Sequence, residues 1–236
     1  MAKALYVIGT NTDIGKTYIS ALIVKALRQR NFKIGYYKPV LSGAIKTNSG
    51  LIPGDVKQVY EAGGLHGDYQ QAVSYMFEPA VSPHLAFKMQ NKAVDLSCIL
   101  KDFYKYQNQY DYVLVEGCGG LICPISITEK NIVLQEDIIK LLNLQTILVI
   151  DAGLGTINHS LLTVYYAEQK KIIINGIIIN NYDSSNLVHQ DNKKVIEELT
   201  GIKVIACVPT QGNNNEPNSI KALTIDKYFH EIGDVY

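Results

Sequence analysis

The chain has 236 residues, enough for one α/β domain over 1–236 with a substantial core. Lys plus Arg and Asp plus Glu each number 22, so the net charge is zero. Nothing argues for a nucleic-acid-binding face, and any phosphate site must be local. No apolar run reaches the ~18 residues needed to span a bilayer. No signal sequence precedes the polar loop that starts at Thr10, so a cytoplasmic protein is expected.

Short apolar runs alternate with helix-length amphipathic segments. Leu5–Ile8 reads as a buried strand, and residues 15–30 follow as a helix with Ile19, Leu22, Ile23, Ala26 and Leu27 on one face. Between them lies Gly9-Thr-Asn-Thr-Asp-Ile-Gly15-Lys16-Thr17. A strand, a glycine-containing loop and Gly-Lys-Thr opening a helix form the P-loop arrangement. Its backbone N–H groups and helix dipole attract phosphate, its Lys reaches the β- and γ-phosphates, and its Thr hydroxyl can ligate Mg²⁺. Five residues separate Gly9 from Gly15, where the usual pattern has four. The alternative is a chance Gly-Lys-Thr at the end of a strand–turn.

Asn31 stops the first helix, and Lys33–Tyr37 is the next strand. Lys38 follows it, on the ligand-binding edge of a parallel sheet. Spacing alone favours a solvated lysine there over one facing phosphate. A polar loop spans 42–54, and a helix covers 55–62 with Asp55 at its start, where an acid is often only a cap. A helix over 95–108 leads to the strand Tyr112–Val115, which ends in Glu116 and the glycines 117, 119 and 120. An acid at that place can help hold Mg²⁺, and the glycines would let backbone approach a ligand. An ordinary strand-to-loop turn is the alternative. A helix over 132–142, the strand Thr146–Ile150, a helix over 157–170, the strand Ile172–Ile179, a helix over 187–200 and the strand Lys203–Ala206 complete the order. Each strand is continuously apolar, as in a parallel sheet covered on both faces.

Asp151 ends an apolar strand and could be a second acid near a metal. The segment 212–215 reads as a loop, and the tyrosines 104, 106, 110 and 112 as packing and surface. Cys98, Cys118, Cys123 and Cys207 form no C-x-x-C pair and are expected to be reduced thiols, and the five histidines show no ligand pairing.

Together these motifs resemble the dethiobiotin synthetase family. The matching stretches are G-T-N-T-D-I-G-K-T at 9–17, Y-K-P-V-L-S-G at 37–43, S-P-H at 82–84, V-L-V-E-G-C-G-G at 113–120 and G-T-I-N-H at 155–159. The extra P-loop residue is itself a feature of that family. The resemblance implies a P-loop type, mostly parallel sheet flanked by helices. It implies ATP-dependent closure of a cyclic urea on 7,8-diaminopelargonic acid and CO₂, through a carbamate and a carbamic–phosphoric anhydride. It makes Lys38 and Lys16 the catalytic cations. Thr17, Asp55 and Glu116 become the Mg²⁺ ligands, and Ser42 a substrate contact. Gly155, Thr156, Ile157 and Asn158 become a cradle for the substrate carboxylate, supplied by the other subunit of a homodimer. ATP contacts carried over are Asp13, Ile14, Gly15, Tyr18, Gly117, Cys118, Gly119, Asn180, Asn181, Pro209, Thr210, Gln211 and Glu216. Asp13, Asn181 and Thr210-Gln211 depart from the family's frequent residues, and Asp151 receives no role. The competing reading is a partitioning-type regulatory ATPase of the same superfold. Such proteins carry a Lys directly after the first loop Gly, where this chain has Thr10.

Overall fold

A computed structural model describes residues 2–210 and 225–231. β1 (Lys3–Gly9) lies between β6 (Tyr112–Glu116) and β9 (Thr146–Asp151). Outward on one side come β2 (Ile34–Ser42) and the edge strand β5 (Val73–Phe77). On the other side come β10 (Ile174–Asn180) and β11 (Val204–Cys207). These seven strands are parallel. The short β12 (His230–Glu231) pairs antiparallel with Lys3 and Ala4, below the point where β9 begins.

The β-branched and aliphatic runs explain the sheet's place in the core. Val7, Ile8, Val113, Leu114, Ile147 and Leu148 are all fully buried. Alternate side chains point to opposite faces, so unbroken burial along a strand requires cover on both. The cover comes from α1 (Lys16–Gln29), α2 (Gly54–Gly63), α3 (Pro83–Met89), α4 (Leu96–Gln107), α5 (Gln135–Leu141), α6 (Thr156–Gln169) and α7 (Leu187–Thr200). In α1 the buried Ile19, Ile23, Val24 and Leu27 share one face, and Asn31, at φ 63, ends the helix. The helices predicted over 15–30, 55–62, 95–108, 157–170 and 187–200 stand within one residue of those observed, and α3 was not expected.

Four further stretches differ from expectation. Ile132–Leu134 is a strand, β8, paired antiparallel with β7 (Pro124–Ile127). The helix predicted from 132 therefore starts at Gln135, where the Asp137 carboxylate accepts the Leu134 N–H at 2.8 Å. The loop predicted over 42–54 contains a small hairpin, β3 (Ile45–Thr47) with β4 (Gly50–Ile52). Strand β5 was not expected. Its five residues Val-Ser-Tyr-Met-Phe are mostly half-buried and carry no run of aliphatics. Finally, β2 does not stop at Tyr37 but continues to Ser42, so Lys38 lies within the strand and not after it. Among the described residues, no helix is long and apolar enough to cross a membrane.

Candidate active site

All the parallel strands deliver their carboxyl ends to one edge, and β1 is the strand from which the order runs out to either side. Ligands in such sheets sit at that edge, beside the switch in strand order. A cleft of about 710 Å³ opens there.

The loop between β1 and α1 forms one wall. Gly15 caps α1 at φ 91, in the left-handed region, with no side chain capping the first turn. The helix's first N–H groups are thus left for an anion. A Cβ on Gly15 would lie 2.1 Å from Asn180 Nδ2, so φ and space both demand glycine. Asn180 ends β10 and donates from Nδ2 to the Ile14 carbonyl at 2.9 Å, which bolts the loop to the sheet. Lys16 is 7% exposed and donates to the Asn11 carbonyl at 2.8 Å. Burial, only partly offset by the Glu116 carboxylate, holds its pKa below the usual lysine range.

The opposite wall is a charge cluster built by strand register. Tyr37 pairs with Val115, so the next residues, Lys38 and Glu116, stand side by side on neighbouring strands. Lys38 Nζ donates to Glu116 Oε1 at 2.7 Å and also contacts the Asp55 carboxylate in the first turn of α2. Glu116 is fully buried. Thr17 Oγ1 donates to its Oε1 at 2.8 Å and Ser20 Oγ to its Oε2 at 2.7 Å. Thr17 and Ser20 are three apart on α1 and so share a face. Burial acts to lower the Lys38 pKa, but the Glu116 and Asp55 carboxylates outweigh it and hold the ammonium well above the usual range. Lys38 is 4% exposed, which corrects the solvated lysine favoured by spacing alone.

The loop after β6 forms the floor. Gln135 Nε2 donates to the Gly120 carbonyl at 3.2 Å, and its Oε1 accepts the Cys118 N–H. A Cβ on Gly117 would meet Gln135 Oε1 at 2.3 Å. That glycine is required by a packed side chain of the protein itself, where the sequence suggested a ligand.

Of the residues singled out in the sequence, Asp13, Gly15, Lys16, Thr17, Tyr18, Lys38, Ser42, Asp55, Glu116, Gly117, Cys118 and Gly119 line this one cleft. The Ile14 side chain is buried in the core instead. Thr12, Val40, Gln58, Ala80 to Pro83 and Cys123 also line the cleft without having been picked out for a role. Thr12, Val40, Ser82 and Pro83 fall within the matching stretches, whereas Gln58, Ala80, Val81 and Cys123 carried no signal. Asn181 follows β10 at φ 56. Pro209 and Thr210 run beside it, since Tyr182 N donates to the Val208 carbonyl and Val208 N to that of Ile179, both at 2.8 Å. Gln211, Glu216 and the 212–215 stretch lie outside the described residues. Gly155 to Asn158 open α6 at the same sheet edge but do not line the cleft.

A phosphate loop at the head of β1, facing a buried lysine–carboxylate cluster across a parallel sheet edge, defines a P-loop nucleotide-binding protein. Solved structures agree on the fold. A ParA family ATPase from Chlorobium tepidum TLS superposes with a TM-score of 0.56 at 14% identity, over 90% of this chain and 87% of that one. A MinC:MinD cell division protein complex from Aquifex aeolicus gives 0.55 at 16% identity, over 92% of this chain and 88% of that one. A family model described as "AAA domain" matches residues 3–218. The protein named ATP-dependent dethiobiotin synthetase BioD of Clostridium perfringens (strain 13 / Type A) is 50% identical over 236 residues, covering 100% of this chain and 98% of the relative. Its namesake from Clostridium novyi (strain NT) is 45% identical over 232 residues, covering 98% of each. The chain belongs to the ATP-dependent dethiobiotin synthetase family, and is with it an enzyme of the ligase class.

Proposed function

We propose that the chain closes the cyclic urea of dethiobiotin from 7,8-diaminopelargonic acid, CO₂ and ATP, releasing ADP and phosphate. The observation that carries this reading is Lys38, buried on the cleft wall opposite the P-loop and held by Glu116 and Asp55. One amine of the substrate adds to CO₂ and loses a proton, giving a carbamate. A carbamate oxygen attacks the γ-phosphorus, the bond to the β-phosphate oxygen breaks, and ADP leaves. The second amine attacks the carbonyl carbon of the mixed anhydride, loses a proton and expels phosphate, which closes the ring.

The central difficulty is electrostatic, because a carbamate must approach a triphosphate. Lys16 and Lys38 put two cations on the path and hold the anions in line. The raised pKa keeps Lys38 an ammonium throughout the neutral range. Asp55 and Glu116 both reach the Lys38 ammonium and Thr17 reaches Glu116, so three hard oxygen donors converge as Mg²⁺ would require. When bound, Mg²⁺ would neutralise phosphate charge there. The backbone N–H groups of residues 15–17 would cradle the phosphates, and Ser42 would face the substrate.

Asn180 supports recognition of adenine. Its Nδ2 is committed to Ile14, and its buried Oδ1 has no partner among the described residues. A free acceptor suits the adenine amino group and opposes the carbonyl of guanine. Asn181, Pro209 and Thr210 would flank the base. The α6 N-terminus supports a carboxylate cradle. Its Gly155 cap, at φ 86, supplies no side chain to the first turn, and Thr156 Oγ1 is buried without a partner among the described residues. Since this terminus does not line the cleft, it is read as serving a second copy of the chain. Leu154, Leu162 and Tyr165, exposed at 90%, 60% and 63%, would be covered in such a homodimer.

The test is product analysis by mass after mixing protein, diamine, bicarbonate and MgATP. Dethiobiotin should form, with ATP consumption dependent on diamine and bicarbonate together. Equally fast ATP turnover without the diamine sinks the synthetase reading and favours a regulatory ATPase.

A further inference from the structure

Asp151 has no part in the chemistry above, yet it sits where two loops meet. It ends β9 in register with Asn180, the last residue of β10. Its Oδ1 accepts from Asn181 Nδ2 at 2.8 Å, and its Oδ2 accepts from Gly153 N at 3.0 Å. Asn181 is held at φ 56, a conformation an asparagine adopts at some cost unless something fixes it. Gly153 lies in the turn that leads to the Gly155 cap of α6, and the Thr156 N–H returns to the Gly153 carbonyl at 3.4 Å. A second brace acts on that turn alone. Asn192 of α7 donates from Nδ2 to the carbonyls of Ala152 at 2.9 Å and Gly153 at 3.1 Å.

The geometry points to Asp151 as a positioning residue that couples the base-side segment 180–182 to the α6 N-terminus, so that binding at one steadies the other. The inference rests on the reading that 180–181 face the base and 155–158 the substrate carboxylate. Each carboxylate oxygen serves one loop. A bound nucleotide that immobilises Asn181 therefore also fixes Asp151 and, through Gly153, the turn before α6. Linkage makes the effect reciprocal. Nothing in this network touches Lys16, Lys38 or Glu116, so the chemical step is spared.

The experiment compares Asp151→Ala, Asp151→Asn and Asn192→Ala with the unaltered enzyme, checked for folding by circular dichroism. Charge-assisted hydrogen bonds of this kind correspond to roughly a tenfold change in affinity. Asp151→Ala should raise KM for both ATP and the diamine about tenfold with kcat within about threefold of the parent. Asp151→Asn keeps one acceptor oxygen and can serve only one loop, so it should be intermediate. Asn192→Ala should raise KM for the diamine alone. Amide hydrogen exchange supplies a readout independent of the reaction. In Asp151→Ala both 152–156 and 181–183 should exchange faster, whereas in Asn192→Ala only 152–156 should. A fall in kcat with both KM values unchanged, or faster exchange in only one of the two segments of Asp151→Ala, overturns the coupling. If the parent enzyme makes no dethiobiotin, the functional reading fails, and the exchange data still decide whether Asp151 ties the two loops.

Discussion

Replacing Lys38 by methionine keeps the buried alkyl stem and removes only the cation. Glu116, fully buried, would keep the Thr17 and Ser20 hydroxyls but lose its counter-charge. Leaving one partner of a buried pair uncompensated costs about 3–5 kcal/mol. The Asp55 contact adds less, under ~1 kcal/mol, because that side chain is 41% exposed and water takes over its solvation. With a urea m-value of about 2 kcal/mol/M, the midpoint should fall by roughly 1.5–2.5 M. Lys38→Met/Glu116→Gln removes both charges and should recover most of that loss, since a buried pair and its neutral replacement are often close in stability. Turnover should behave differently. It should drop about a thousandfold in Lys38→Met, equivalent to ~4 kcal/mol of transition-state stabilisation, and stay low in the double variant. Urea unfolding and dethiobiotin formation measured on the parent, Lys38→Met and the double variant separate the two roles. A loss below about 1 kcal/mol in Lys38→Met, or no recovery in the double variant, would refute the claim that this pair is electrostatically isolated from solvent.

Two further predictions concern groups around the cleft. Burial depresses the Lys16 pKa, so the folded state disfavours its charged form relative to the unfolded chain. The penalty is present below the folded-state pKa and relieved as pH rises through it. Lys16→Met should therefore leave the nucleotide-free melting temperature at neutral pH unchanged or higher, while ATP no longer raises it. A clear loss of stability in the nucleotide-free variant would contradict this. Among the four cysteines, only Cys123 has its pKa lowered, chiefly by the Cys118 thiol hydrogen-bonded to it. Cys118 is raised by the same contact, Cys98 by burial, and Cys207 by burial to about 11. Iodoacetamide at pH 7.5, followed by peptide mass spectrometry, should label Cys123 first, and ATP should slow that labelling because Cys123 lines the cleft. Preferential labelling of Cys207 would show that exposure, not thiolate character, sets the order.

How much of the site was legible followed from how local each feature is. Gly9 to Thr17 could be read directly, because a strand end, a tight turn and a helix start are adjacent in the chain. Glu116 was recognisable as an acid at a strand end. Lys38 was not decidable from the residues themselves. Its neighbours Tyr37 and Pro39 read as the end of a strand, whereas β2 continues to Ser42 along the edge strand β5. The Ser20 bond to Glu116, 96 positions away, had no sequence signal, since a serine in a helix is ordinarily unremarkable. Asp151 could be seen as an acid at a strand end, but its partners Asn181 and Gly153 emerge only when β9 and β10 lie side by side. The two short hairpins were hidden because three- and four-residue strands hold too few alternations to show a period.

By itself the amino-acid sequence determined the parallel α/β class and the phosphate loop. Continuous aliphatic strands and amphipathic helices are written in residue spacing, and so is a glycine-bounded turn before a helix. The tertiary structure alone decided that Lys38, Asp55, Glu116, Thr17 and Ser20 form one cluster, with a single ammonium shared by two carboxylates and two hydroxyls bonded to one of them. The strand order β1-β6-β2 sets Lys38 beside a carboxylate 78 positions away. Strand order and register are properties of the packed sheet, and no local pattern in the chain specifies them.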